Sequence, residues 1–355
     1  MIAQHDYDIM YMQHALALAR KGWGRTSINP LVGAVIVKNN RIVGKGYHRK
    51  LREAHAEVVA ITDAGCEAHG ATLYVNLEPC CCSGFTPPCV DAIIKAGISR
   101  VVVGIKDPNP LVNGNGITGL QKNGIEVVFG VLREETSRLN QGYVKYITTK
   151  IPYVILKIAL SKNFKISGFE GKYITSQPSL RYVHSLRSQV CAVLVGINTV
   201  LKDDPYLTDR LVGRHNPARV VIDPDLKIPS SAHFLKPDAR RIIITAPDND
   251  VLKIENLIAA GAEIMLFEQK PFPLKQVLEK LGMMQIGSVL VEGGGTVFTQ
   301  VYNERLYDEL YVFVAPCEIA GGEKVAEDIV EDIQALGSRY ESIGEDTVYH
   351  VYRNN

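Results

Sequence analysis

The chain reads as two consecutive α/β domains, and three observations lead there. Its 355 residues, 46% hydrophobic and 22% charged, exceed the usual size of one domain and supply apolar surface for two cores. Short β-branched runs alternate with helix-length segments, the pattern of a parallel or mixed sheet covered by helices. That alternation closes near Tyr146 and starts afresh at VILKIAL, so ITTKIPYV is expected to be a linker. The border is set around residues 147–152, giving domains 1–147 and 151–355.

The elements follow in order. Asp6 is a fair N-cap for a first helix with Met10, Met12, Ala15, Leu16 and Leu18 on its apolar face. After the turn Ser27–Pro30, two β-branched runs flank Asn39 and Asn40, as in a hairpin. REAHAEVVAITDAG predicts a helix ending near Gly65; ATLYVNLEP, RVVVGIKDP and IEVVFGV predict strands separated by the helices PPCVDAIIKAG and GLQKNG. In the second half CAVLVGINTV, ARVVIDP, RRIIITA, AEIMLF, SVLVEGGG and LYDELYVFVAP read as strands. No repeat of 20 to 50 residues and no low-complexity tract is present.

Composition excludes several functions. A net charge of +1 gives no global attraction to nucleic acid or an anionic membrane. No apolar run approaches the roughly 18 to 20 residues that span a bilayer. The first 22 residues carry Asp6, His14 and Arg20 and lack a leader's cleavage site. A cytoplasmic location is therefore expected, where cysteines persist as thiols or metal ligands.

Of seven cysteines, Cys80, Cys81, Cys82 and Cys89 fall close together, a metal or redox cluster rather than a disulfide framework. His55-Ala56-Glu57 opens one helix, and Cys80 with Cys89 precedes the next. Zinc prefers tetrahedral nitrogen and sulfur ligands, and a catalytic site takes three from protein and leaves one place for water. A nearby non-ligating glutamate then moves protons, so His55, Cys80 and Cys89 are candidate ligands and Glu57 a candidate acid–base. Both ligand groups are expected in first helical turns, where the dipole favours thiolates. Gly293, Gly294 and Gly295, between a strand and the helix-like FTQVYNE, suit a phosphate cradle. His14, His69, His184, His215, His233 and His350 are expected at the surface or in packing, Cys191 and Cys317 as small buried residues, and Cys66 without a role.

On SINPLVGAVIV, HAEVVAI, LEPC, TPPCVDAIIKAG and NGNGI, and on TVLKDDPYLTDR, SVLVEGGGTVFTQ and DELYVFVAP, the chain resembles the bifunctional riboflavin-biosynthesis deaminase/reductase family. The nine-position step from Cys80 to Cys89 matches that family, where most nucleoside deaminases keep two residues between cysteines. The resemblance implies a cytidine-deaminase-like α/β/α domain followed by a dihydrofolate-reductase-like α/β domain. It implies Zn²⁺ and NADPH as cofactors, a small-molecule pyrimidine substrate, and a homo-oligomer, dimer or tetramer. Asn29 and His48 would contact the pyrimidine, with Cys82 at the place of a substrate-facing histidine. Ala159, Thr199, Asp203 and the three glycines would contact NADPH. Lys157, Arg187, Leu207, Arg210 and Glu292 would contact the reductase substrate.

Departures cluster around the substrate. Cys81 and Cys82 replace Ser-His, and Phe85 and Asn115 replace basic residues, so weaker phosphate recognition is expected. Asn163 and Phe164 replace Asp-Gly in the loop expected to wall the reducible sugar carbon, and Tyr173 replaces tryptophan. Two other readings stand beside the leading one. One is a paralogue that deaminates in a specialised pathway with reduction weakened or lost. The other is a non-catalytic scaffold whose zinc is closed by Cys81 or Cys82.

Overall fold

A computed structural model of the chain describes residues 4–169, 173–213, 215–293, 295–325, 329–331 and 340–353. It divides into two compact units, Met1–Lys150 and Ile151–Asn355. The first runs α1 Gln4–Ala19, β1 Gly33–Lys38, β2 Arg41–Tyr47, α2 Ala56–Ala64, β3 Thr72–Leu77, α3 Cys89–Lys95, β4 Arg100–Ile105, α4 Asn115–Lys122, β5 Glu126–Phe129 and α5 Arg133–Thr149. Its sheet has the order β2-β1-β3-β4-β5, with β1 antiparallel to both neighbours and β3, β4 and β5 parallel.

Strand alternation makes this a three-layer unit. Ala34 and Ile36 of β1 pack with Ala60 of α2 and Ile93 of α3, while Val35 and Val37 meet Met12 and Leu16 of α1. Asn39 and Asn40 turn the hairpin with φ of 51° and 57°, the left-handed pair that suits strand twist. Helix α2 lies hard against β2: a Cβ on Gly46 would stand 2.2 Å from the Ala56 carbonyl oxygen. This approach sets where α2 begins.

The second unit runs β6 Tyr153–Leu160, α6 Gln177–Arg187, β7 Ala192–Gly196, α7 Ile197–Asp203, β8 Ala218–Ile222, β9 Arg241–Thr245, α8 Val251–Ala259, β10 Glu263–Leu266, α9 Leu274–Met283, β11 Ser288–Glu292, α10 Gly295–Asn303, β12 Glu309–Val314, β13 Tyr340–Ile343 and β14 Asp346–Tyr352. Its sheet has the order β10-β9-β8-β7-β11-β6-β12-β14-β13 and is parallel up to β12, with β14 antiparallel to both neighbours. On β6, Val154, Leu156, Ile158 and Leu160 face Leu278 and Phe298. Tyr153 and Ile155 face Val183 and Leu186 on the other side. Burial on both faces explains why these strands read as continuous apolar runs.

Several expectations are corrected. Helix α1 starts by Gln4, so Asp6 lies in its first turn rather than capping it, and Met10 is exposed while Tyr11 and Ala19 are buried. Residues 147–149 continue α5 and Tyr153 opens β6, leaving little linker. Strand β7 stops at Gly196, and the Ile-Asn-Thr-Val that follows is helical. Cys317 is exposed and Cys191 half-buried. Helix α5 escapes an apolar-periodicity reading because its buried positions include the polar Thr136 and Asn140. Asn140 is spent on the backbone of Leu31, accepting from its amide and donating to its carbonyl.

Gly46→Ala is expected to lower stability by about 2 kcal/mol or more, since backbone rather than a yielding side chain is struck. Thermal melting with metal analysis checks this: the variant should melt earlier and retain less metal.

Candidate active sites

In the first unit the chemistry gathers where β3, α2 and α3 converge. His55 occupies the N-cap position of α2 with extended backbone, and Glu57 follows in its first turn. Cys89 opens α3, whereas Cys80 lies in the loop after β3 and not in a helical turn as expected. Cys80 is nonetheless held at that helix start, because the Cys89 amide donates to its sulfur at 3.3 Å. His55 Nδ1 stands 3.2 Å from Cys89 Sγ and 3.5 Å from Cys80 Sγ. All three ligand atoms lie within 4.8 Å of one another, the only such group among the described residues.

These separations suit one ion. Tetrahedral zinc with ordinary bond lengths separates a nitrogen and a sulfur ligand by about 3.6 Å. Hydrogen bonds from the Cys89 thiol, His55 and the Cys89 amide pull the Cys80 thiol far below the usual range. Glu57 is buried, its Oε2 has no hydrogen-bond partner, and burial pushes its carboxyl up to about 7. A buried carboxylate oxygen left unpaired beside a nitrogen–sulfur donor set fits a metal with a water to share.

Asn29 and His48 join this site. The buried His48 ring sits edge-on to His55 with centroids 5.4 Å apart. Its Nδ1 faces the Ala54 carbonyl, which leaves Nε2 to accept from the Asn29 amide at 3.1 Å. Burial holds this imidazole below its usual proton affinity, so it stays neutral. Cys82 lies in the same loop as Cys80 but outside the donor group, and Cys81 points its sulfur at the Leu111 carbonyl 3.8 Å away. Neither closes the fourth position, as a scaffold would need.

Two residues here carried no assigned role. Thr86 sets its hydroxyl 3.4 Å from His55 Nε2, so its fixed place before Pro-Pro-Cys was the available signal. Glu78 is buried and accepts the amides of Asp107, Gly114 and Ile117 at 3.2, 2.9 and 3.1 Å. It ties the loop before α4 and that helix's first turn to the residue preceding Pro79.

In the second unit a cavity of about 820 Å³ opens at the carboxyl ends of the parallel strands. Lys157, Ala159, Thr199, Asp203, Gly293 and Gly295 line it, as do Arg187, Leu207, Arg210 and Glu292. Gly294 lies outside the described residues. Lys157 and Glu292 are register partners across β6 and β11. Arg187 donates to both Glu292 oxygens, at 2.7 and 2.8 Å, in a buried two-pronged pair. Burial raises Glu292's proton affinity, but the Arg187 charge and hydrogen bonds, together with the Lys157 and His184 charges, outweigh it and hold the carboxyl below its usual range. Arg187 is thereby committed to Glu292, and Arg210, which donates to the Tyr173 hydroxyl at 3.1 Å, is the more exposed cation. Gly293 has φ of 65°, and a Cβ there would approach Thr199 to 3.3 Å. The buried Thr199 hydroxyl has no partner. An unpaired hydroxyl beside a bare turn at the start of α10 fits a phosphate-bearing cofactor.

The loop expected to wall the reducible centre does something else. The cavity wall resumes at Ile166, and neither Asn163 nor Phe164 lines it. Asn163 accepts from Ser161 Oγ and the Ile319 amide and donates to the Ile319 carbonyl. Phe164 packs on the core with φ of 61°, a left-handed backbone that glycine takes more easily. His184, expected merely to pack, also lines the cavity.

Burial, then the charges of Arg187 and Arg210, push the His184 imidazole down to about 4 from 6.5. Unfolded chains therefore bind this proton at higher pH than folded ones. Stability present above about 6.5 is lost as pH falls through this window, by up to about 3 kcal/mol. Melting of the cofactor-free chain from pH 7 to pH 4 should fall more steeply than that of His184→Asn; parallel profiles would discount the imidazole.

Among the described residues no helix is long and apolar enough to cross a membrane. Residues 6–105 match the cytidine and deoxycytidylate deaminase zinc-binding region, and residues 152–348 the RibD C-terminal domain. The chain is 44% identical over 356 residues to the riboflavin biosynthesis protein RibD of Aquifex aeolicus, covering 98% of this chain and 99% of that one. It is 38% identical to the Escherichia coli protein of that name, over 90% and 93% of the two chains. Among solved structures, a Thermotoga maritima diaminohydroxyphosphoribosylaminopyrimidine deaminase/5-amino-6-(5-phosphoribosylamino)uracil reductase superposes with a TM-score of 0.87 at 35% identity, covering 99% and 100%. With the nitrogen–sulfur donor group in one unit, the strand-end cavity in the other, and relatives matching along nearly the whole length, the chain belongs to the RibD family of bifunctional deaminase/reductases.

Proposed function

We propose that the first unit hydrolytically deaminates a phosphoribosylamino-diaminopyrimidine, and that the second reduces the ribosyl group of the product to ribityl with NADPH. The observation that carries this is the His55–Cys80–Cys89 donor group beside the unpaired, buried Oε2 of Glu57. A zinc ion held by those three residues would supply Lewis acidity to the attacking water. Glu57, with a proton affinity near neutrality, takes the proton at Oε2 and returns it to the departing amine. A carbon–oxygen bond forms, the carbon–nitrogen bond breaks, and ammonia leaves. Asn29 and His48 hold the pyrimidine, and Cys82 faces it from the ligand loop.

In the second unit NADPH would supply the hydride. Gly293, Gly294, Gly295 and Thr199 take its phosphates, with Ala159 and Asp203 as further contacts. Arg187, Leu207 and Glu292 shape the sugar side, and Arg210 meets the substrate phosphate. Lys157, whose proton affinity burial lowers, is assigned the proton that the ring oxygen needs as the sugar opens. The reading also carries the family's expectation of a cytoplasmic homo-oligomer, dimer or tetramer, which light scattering would size.

Each half-reaction is tested separately. Ammonia release from the diamino pyrimidine phosphate should require bound zinc, and NADPH should be oxidised with the deaminated product. Glu57→Gln is expected to slow ammonia release by about 10²–10⁴-fold while zinc content holds. A native chain that releases no ammonia from this substrate sinks the reading.

A further inference from the structure

Arg52 sits on the turn between β2 and α2, three residues before the ligand His55. Its φ is 70°, a backbone state that L residues seldom adopt and glycine takes freely. Its guanidinium carbon lies 4.7 Å from the centroid of the Phe85 ring. Phe85 is 74% exposed, so the ring is not there to fill a core. It immediately precedes Thr86, whose hydroxyl approaches His55 Nε2. The stacked pair thus joins the turn before one ligand to the loop between the other two.

Among the described residues no carboxylate comes within ion-pair distance of Arg52, and its guanidinium lies over the aromatic face. An arginine held in an awkward backbone state, oriented by an exposed ring and left without an internal anion, keeps its five donors for something outside the protein. Phe85 stands where the family resemblance implies a basic residue. The cation absent from position 85 is present over it, delivered from position 52.

We propose that Arg52, seated on Phe85, is a specificity-determining residue of the deaminase site that receives the phosphate of the pyrimidine substrate. This rests on the deaminase reading above. The ring fixes the guanidinium plane, and a fixed plane favours two-pronged binding of a phosphate over a single-point contact. The cation lost at Phe85, one of the two whose absence predicted weaker phosphate recognition, is thereby replaced.

The test uses the full-length, zinc-loaded enzyme and Arg52→Gly, since glycine accepts the left-handed backbone and should not harm folding. Ammonia release is measured with the phosphorylated pyrimidine and with its dephosphorylated counterpart. The ratio of kcat/KM between the two is expected to fall about tenfold in Arg52→Gly, mainly through KM for the phosphorylated form. Adding Phe85→Lys to that variant should restore the ratio, which a purely structural role for Arg52 would not allow. An unchanged ratio in Arg52→Gly overturns the proposal while leaving the deaminase assignment intact. A native enzyme that deaminates neither compound removes the assignment, and this proposal with it.

Discussion

Taking a carboxylate out of water is the constraint around which both units are built. An isolated buried charge is costly, and proteins answer by pairing it, by surrounding it with donors, or by letting it take a proton. All three answers occur here. Glu292 is paired by both prongs of Arg187 and remains ionised. Glu78 is surrounded by backbone amides and serves as a loop anchor. Glu57 leaves its Oε2 without a partner, and burial brings its carboxyl to hold its proton near neutrality. The residue with the unpartnered oxygen is the one that the proposed deamination asks to move protons.

The two sites use opposite means to one end. In the first, a rigid frame comes from backbone approach: Gly44 and Gly46 let α2 press on β2, and Asn76 and Asn140 clamp the segment around Leu31. In the second, parallel register does the work, setting Lys157 beside Glu292 at the end of β11, on the side where α/β sheets bind ligands. Neither arrangement needs a loop to move before the named groups meet.

Much of this was legible in the linear chain. The donor group could be read because its spacing is local and its residue types are rare together; His55, Cys80 and Cys89 meet as expected. The strands of the second unit could be read because a sheet buried on both faces is written as unbroken β-branched runs. What escaped was polar or distant. Helix α5 buries Thr136 and Asn140 and shows no apolar stripe. Thr86 and His184 act through neighbours that only folding supplies. Asn163 and Phe164 looked like substrate wall because the family resemblance sets an Asp-Gly wall at those positions, yet their partners are the Ile319 backbone and the core.

The sequence separations of these contacts bear on how the sites come into being. His55 and Cys89 are 34 residues apart, so the donor group closes a short loop. Arg187 and Glu292 are 105 residues apart, and Asn163 reaches Ile319 across 156. Closing the longer Arg187–Glu292 loop costs about 1 kcal/mol more in chain entropy than closing the donor group. The metal pocket can therefore assemble from neighbouring elements early in the collapse of its unit. The cavity needs β11 in place between β6 and β7, and the Asn163 loop needs the chain beyond β12.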